Sequence, residues 1–566
     1  MVGALRTLSA AWARPRSVAT ARKPCGVRRD ARLLGFAPAV TLAIFLGPVI
    51  AGALGTLAPA FGFLPVIGAA TPSLEPFRAL LAEPALPSAL RLTLVSGLGG
   101  TLLALALTIL FLASFQGARW FDRMRRALAP ALAAPHVAVA LALLFLLAPS
   151  GWLLRLISPW ATGFDRPPDW ATAPDEYGLA LMVGLAAKET AFLTLMAISA
   201  LGQIRAEESV RVARSMGYGR IGAWMRVVLP QLWPQIRLPF YAALAFSLSV
   251  VDMAAILAPA SPPPLAGLLM RWFNDPDLSR RLVASAGAVL QIGVVLGAIG
   301  AAYAIERGLG AIGAGRLRAG RRWPGARTES AIRAAATTLA VLFGVVFLVG
   351  LLVTALWSFA GPWRFPDALP AAVNLRGWER ALPAMAEPFL NGLVAALASA
   401  TIALGLAMAC LEREARMGGG AEARKTALTL VYLPLIAPQI GFLFGVQILF
   451  AALRIDGGMI GVVWAHLIFV LPYAFLSLAD PWRAVDPRLE RSARALGAGP
   501  WRAFFRAKLP VALRPALTTF AVAAAVSFGQ YLPTIFAGGG RVPTLTTEAV
   551  ALAAGGDRRV LAAFVF

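Results

Sequence analysis

ESVRVARSMGYGRIGAWMRVVLPQLWPQIRLP, residues 208–239, returns as RLERSARALGAGPWRAFFRAKLPVALRPALTT at residues 488–519. A shift of 280 positions lays Ala213 on Ala493, Arg214 on Arg494, Gly217 on Gly497, Gly219 on Gly499, Arg226 on Arg506 and Leu229-Pro230 on Leu509-Pro510, without a gap. Self-similarity at a fixed interval marks an internal duplication. Both copies are basic and polar between strongly apolar stretches, so each is a loop with structure of its own. In the second copy Leu489, Ala493 and Leu496 fall at i, i+4 and i+7, which gives a short helix one apolar face. Gly497 and Gly499 are placed to end it, where a positive φ is needed. A second short helix is expected through Trp501–Arg506, with proline breaking the ladder at Leu509-Pro510. The plainer alternative is a positive loop tethered by arginines to lipid headgroups. Two copies with one Gly-to-Leu-Pro spacing favour a docking element instead.

The rest of the chain is apolar: 59% of its 566 residues are hydrophobic, 14% are charged, and the mean hydropathy is +0.72. A soluble fold cannot hide that much apolar surface, which makes this a polytopic membrane protein. The net charge of +24 is spread as arginines alternating with apolar spans, the positive-inside pattern, rather than gathered for nucleic acid. Cys25 and Cys410 form no disulfide framework or cysteine-based metal site. Residues 1–32 carry eight Arg or Lys against Asp30 and read as a cytoplasmic tail before an uncleaved anchor.

Hydropathy places spans near 33–57, 89–115, 127–149, 178–203, 238–259 and 282–305, then near 333–359, 389–411, 427–452, 459–479 and 515–537. Arg119, Arg123, Arg125 and Arg126 put the loop after the second span inside, whereas the longer 58–88 segment has Arg78 against Glu75 and Glu83 and lies outside. By the same rule residues 306–332, with Arg307, Arg316, Arg318, Arg321, Arg322 and Arg327, form a cytoplasmic linker between a first domain, 33–305, and a second, 333–566. The fold expected is all-α, two parallel repeats of six transmembrane helices, with both basic elements on the cytoplasmic side. Ala134-Pro135-His136 echoes Ala437-Pro438-Gln439, and Ser279-Arg280-Arg281 echoes Asp557-Arg558-Arg559. After Arg559 only Val560–Phe566 follow, where a helical span needs about twenty residues, so the last helix is expected to be cut short.

No G-x-x-x-x-G-K-[ST] phosphate loop occurs. His136 and His466 lie in different halves without zinc-site spacing. Enzymatic chemistry within the chain is not expected.

On these residues the duplicated element resembles the EAA loop of permease subunits of binding-protein-dependent ABC importers, with the pattern Glu-Ala-Ala-x3-Gly-x9-Ile-x-Leu-Pro. Gly217 to Pro230 and Gly497 to Pro510 meet its Gly-to-Pro interval. Nearly the whole chain is similar to two fused permease halves of the ferric-iron and thiamine type. The pattern's glutamate falls on Arg211 and Arg491, with Glu207, Glu208 and Glu490 displaced, and its isoleucine on Val227 and Ala507. The resemblance implies that Arg211, Ala213, Gly217, Gly219, Leu229 and Pro230, with Arg491, Ala493, Gly497, Gly499, Leu509 and Pro510, belong to helices seated in two separate ATPase subunits. ATP would be bound there, with no cofactor in this chain, and a periplasmic binding protein would deliver the substrate.

Ionisable groups inside spans are costly and mark candidate functional positions. Lys188 and Glu189 fall mid-way in the fourth span and Asp252 in the outer half of the fifth. Lys188 and Asp252 are read either as a structural ion pair or as pathway groups. Their second-half counterparts are apolar, leaving Ser527 and Gln530 as polar groups there. His136 and Gln439 either line the inner mouth of a pathway or cap broken helix turns. Residues 259–264 and 538–543 read as tight or rigid outer loops. An ion-coupled secondary transporter using Lys188, Glu189 and Asp252 is the alternative function, and the duplicated loop weighs against it.

Overall fold

The computed structural model describes residues 34–118, 121, 134–318, 326–418 and 420–565. The basic tail with Cys25, the arginines at 119, 123, 125 and 126, and Arg321 and Arg322 lie outside the described residues. The long helices, numbered in chain order, are α1 (Ala37–Ala60), α2 (Leu86–Phe115), α3 (His136–Leu147), α4 (Leu179–Leu201), α5 (Leu229–Ser249), α6 (Arg280–Arg318), α7 (Ala326–Ser358), α8 (Arg376–Met417), α9 (Ala421–Ile436), α10 (Ile440–Ala452), α11 (Met459–Arg483) and α12 (Leu509–Phe528). Among the described residues nine helices are long and apolar enough to cross a membrane, and the bent pair α9–α10 makes a tenth crossing. Helix α5 falls short on composition, because Gln231, Gln235 and Arg237 occupy its first half.

Three expected spans are corrected. The one near 427–452 is two helices meeting at 91° across Ala437-Pro438-Gln439, since Pro438 withdraws a backbone donor at the turn. The two fifth spans stop earlier than 259 and 537, at Ser249 and Phe528, and each is followed by a separate short helix, Asp252–Leu257 or Leu532–Gly538. Asp252 therefore opens a new helix, where its Oδ1 accepts a hydrogen bond from the Met253 amide, instead of sitting inside a continuous span.

The duplication is visible in the backbone. Helices Arg220–Ala223 and Pro500–Ala503, the π-turns Trp224–Val228 and Phe504–Lys508, the starts of α5 and α12, and the short helices Leu265–Phe273 and Leu545–Ala553 all repeat at the same 280-residue interval.

The two halves do not lie side by side as closed bundles. Helix α1 packs against α6 of its own half and against α8, α10 and α11 of the other, while α7 packs against α2 and α3 of the first half. Each half thus lends its first helix to its neighbour. At the α1–α10 crossing the backbones touch: a Cβ on Gly52 would meet the Phe442 carbonyl at 2.5 Å, and one on Gly445 would overlap the Gly52 carbonyl. The Gly445 amide donates to Thr56 Oγ1 at 3.1 Å across the same contact. Gly350 of α7 lies against Ala142 of α3 at the corresponding crossing.

Arg155 ties residues 150–155 to the segment 357–367. It is 4% exposed, donates from Nη1 to the Arg364 and Asp367 carbonyls at 2.7 and 3.1 Å, and lies over the rings of Trp357, Trp363 and Phe365. Charged donors and desolvated cation–π contacts make Arg155→Ala worth about 2–4 kcal/mol of stability. Arg155→Lys is expected to recover little of it, because lysine lacks the planar fork. Melting in detergent followed by size-exclusion chromatography checks both.

Candidate functional site: two docking elements and a polar centre

Each duplicated element is built the same way. Helix Ala206–Ser215 ends at Gly217, and Arg488–Ala495 at Gly497, both glycines at φ +85°. The Tyr218 and Ala498 amides reach back to the Ala213 and Ala493 carbonyls, closing the left-handed C-cap that only glycine enters without strain. Gly219 and Gly499 are not left-handed; both are extended, with φ −63° and −65°, and start the second short helix.

The expected proline break is also corrected. Residues 220–249 and 500–528 run on as helix through Leu229-Pro230 and Leu509-Pro510, because the π-turns before them open the ladder where proline has no N–H to offer and its ring needs room. The second helical segment of each element is thereby continuous with the following span.

The apolar face expected from Leu489, Ala493 and Leu496 faces outward: Leu496 is 89% exposed, and Trp501 and Phe505 are exposed near it. In the first copy Val212 and Met216 are exposed while Ala213 is buried. Arg211 and Arg491 are both exposed.

What holds the elements in place was largely missed from sequence. In the first copy Trp224 Nε1 donates to Gln116 Oε1 at 2.5 Å, the Arg220 guanidinium donates to the Gln116 carbonyl, and the Ile221 amide donates to Glu329 Oε1 at 3.1 Å. Burial, with Arg333 and Arg214 nearby, draws the Arg220 guanidinium below its usual pKa. In the second copy Lys508 Nζ donates to Glu412 Oε2 at 2.6 Å, and Glu412 Oε1 accepts from Arg416 Nε at 2.6 Å. Glu490, one of the displaced glutamates, lies 3.5 Å from Arg494 and 4.0 Å from Arg416. Glu490 thus faces the end of α8, whereas Glu207 and Glu208 are exposed, Glu208 lying 3.6 Å from Arg205. A signal existed: Glu412 closes an apolar span, and Lys508 stands where the first copy has Val228.

The candidate pathway residues separate into two groups. Lys188 and Glu189 are buried on α4. Lys188 Nζ donates to the Ala134 carbonyl at 2.5 Å and lies within electrostatic range of Glu189 and Asp252. Tyr473 lies within electrostatic range of Glu189, and Tyr531 within electrostatic range of Asp252. His136 packs against Phe246 with ring centroids 4.6 Å apart and tilted by 40°, near Lys188. Charges of residues 188–252 and the tyrosines at 473 and 531 thus lie within electrostatic range of one another, which residue-by-residue comparison of the repeats could not show. Neither helix α3, which begins at His136, nor α10, which follows Gln439, carries a side-chain cap at its start. Ser527 instead belongs to a buried chain: His466 Nδ1 meets its Oγ at 2.8 Å, Ser399 Oγ donates to it at 2.9 Å, and His466 Nε2 meets Thr534 Oγ1 at 2.9 Å. The Gln530 carbonyl accepts from Thr534 Oγ1 in the same chain. Among the described residues no group of His, Cys, Asp and Glu could hold a metal ion.

Residues 404–562 match the family described as binding-protein-dependent transport system inner membrane component. The chain is 32% identical to the inner membrane ABC transporter permease protein YnjC of Escherichia coli K12, over 92% of this chain and 91% of the relative. It is 25% identical to the putative 2-aminoethylphosphonate transport system permease protein PhnV of Salmonella typhimurium LT2, over 35% of this chain and 75% of that protein. To the probable ABC transporter permease protein y4fN of Sinorhizobium fredii it is 26% identical, over 52% of each. Permeases of this kind work with ATPase subunits and binding proteins, and ATP hydrolysis lies in the separate subunits. The chain belongs to the inner membrane components of binding-protein-dependent transport systems and is the transmembrane permease subunit of an ABC importer.

Proposed function

We propose that this chain carries both membrane halves of the importer, with its N-terminus cytoplasmic and one ATPase subunit seated on each of residues 206–228 and 488–508. The observation that carries this reading is the repetition, in one register, of helix, left-handed glycine, second helix and π-turn. Its relation to half-sized relatives supports it: 210 aligned residues make up 75% of PhnV, so that protein is about as long as the 280-residue interval. ATP would be held wholly by the two partners. Closure of the ATPase pair would turn the elements, and with them α5 and α12, between inward and outward access. The solute would cross between the halves at the centre formed by His136, Lys188, Glu189, Asp252, Tyr473 and Tyr531, delivered by a periplasmic binding protein. Gln439, Ser527 and Gln530 stand beside this path. Resemblance to ferric-iron and thiamine-type permeases makes those solutes the first to offer, with 2-aminoethylphosphonate, named for PhnV, as the comparison.

Cysteine cross-linking tests the docking. Gly499 has open space around its Cα, but a side chain at Gly219 would overlap the Glu329 carboxylate. Val212→Cys and Leu496→Cys are therefore the better pair, both being exposed. Each is expected to cross-link to a co-expressed ATPase subunit, giving two ATPases per chain. A chain that links to one ATPase or none contradicts the two-seat reading.

A further inference from the structure

A buried ion pair is an expensive way to hold two helices together, since both charges leave water and their attraction recovers that cost only in good geometry. Glu412 and Lys508 have side chains 3% and 7% exposed and meet at 2.6 Å. The pair is the inner end of a chain of charges that begins on the docking surface. Arg494 and Glu490 sit on the short helix 488–495; Glu490 faces Arg416, Arg416 pairs with Glu412, and Glu412 with Lys508. Two aromatic rings close it in: Arg416 lies over Trp501 at 5.4 Å and Lys508 over Trp482 at 5.0 Å.

The chain spans three moving parts. Glu490 belongs to the docking helix, Arg416 and Glu412 to the inner end of α8, and Lys508 to the last position of the π-turn that runs into α12. In turn α8 packs along α11 and α12. The first copy has no pair in this register, because the residue matching Lys508 is the fully buried Val228, and its fastening runs through Gln116 and the Glu329 carboxylate at the start of the second short helix instead. A valine fills this position in the first copy, so the π-turn folds without a charge there. The charges in the second copy call for another role.

We propose that Glu412 and Lys508, linked through Arg416 to Glu490, are positioning residues that carry displacement of the second docking element into α8 as well as α12. This rests on the reading that an ATPase subunit seats on that element. Without the pair, the π-turn would still move α12, but the docking helix would slip past α8 and only part of its movement would reach the second half.

The test uses the full-length chain reconstituted in proteoliposomes with its ATPase and binding protein, as wild type, Glu412→Gln, Lys508→Met and the paired variant. The readout is the ratio of binding-protein-stimulated to basal ATP hydrolysis, with ATPase co-purification and melting midpoint alongside. Glu412→Gln takes the carboxylate from both Lys508 and Arg416 and is expected to lower the midpoint most, while Lys508→Met leaves Glu412 paired with Arg416 and is expected to lower it less. The paired neutral variant is expected to melt like wild type and to retain its ATPase, yet to show a ratio about tenfold lower, a usual size for coupling between sites. A paired variant with wild-type melting and a wild-type ratio overturns the proposal and leaves the pair as packing. If no ATPase co-purifies with the unmodified chain, the docking reading itself fails and takes this inference with it.

Discussion

Gly445→Ala is expected to abolish most of the folded protein, although the change adds one methyl group to a helix that alanine suits better than glycine. The new Cβ would overlap the Gly52 carbonyl, which is backbone and has no rotamer to move to. Overpacking in a core that can shift typically costs about 1–3 kcal/mol. Here α1 and α10 must part, and the hydrogen bond from the Gly445 amide to Thr56 is lost with the contact. Gly52→Ala, which meets the Phe442 carbonyl and Val446, is expected to act in the same direction. The control is Gly297→Ala on α6, where a Cβ meets nothing within 4 Å. By helix propensity alone it should be neutral or stabilise by up to about 1 kcal/mol. Monodisperse yield and melting midpoint in detergent separate these cases. A Gly445→Ala chain as abundant and stable as Gly297→Ala would show that the crossing is looser than described.

Lys188→Met is expected to be the most damaging change in the polar centre. Glu189 and Asp252 would lose the cation that both interact with, and the Ala134 carbonyl would lose its donor. Removing one member of a buried ionic group costs about 3–5 kcal/mol. The paired variant Lys188→Met with Asp252→Asn is expected to regain much of the melting midpoint but to leave solute uptake low, because these groups line the proposed path. Recovery of both midpoint and uptake would assign the pair a purely structural role. Arg155 provides the contrast: as a clamp its loss should lower stability, with uptake per folded molecule much less affected.

The glycine-capped docking helices were legible in the sequence because they rest on local rules. Gly217 and Gly497 adopt the left-handed cap that their place after an amphipathic turn demands. Charge and hydropathy likewise placed α2, α4 and α11 closely, since a span is a property of consecutive residues. What could not be read depends on partners distant in sequence. Glu412 and Lys508 are 96 residues apart, and Gly52 and Gly445 just over four times that. The π-turn escaped for a different reason. Proline before a helix and proline after one look alike in sequence, and whether the ladder breaks or widens depends on whether the neighbours leave room. Asp252 was misplaced into a continuous span because its apolar flanks hid the break at Val250-Val251, which carries no glycine or proline.

The exchange of first helices bears on how the protein is made. α1 leaves the ribosome early, yet the helix it packs against most closely, α10, begins at Ile440. At a synthesis rate of about 5–20 residues per second, roughly 20–80 s separate the two events. Through that interval α1 lies in the bilayer with Gly52, Gly55 and Thr56 turned towards lipid or towards whatever holds it there. The N-terminal half cannot complete itself before the C-terminal half arrives, so maturation is a single late step for the whole chain. Two separately translated pieces cut within the linker should meet the same requirement in the membrane, each waiting for the other to supply its first helix.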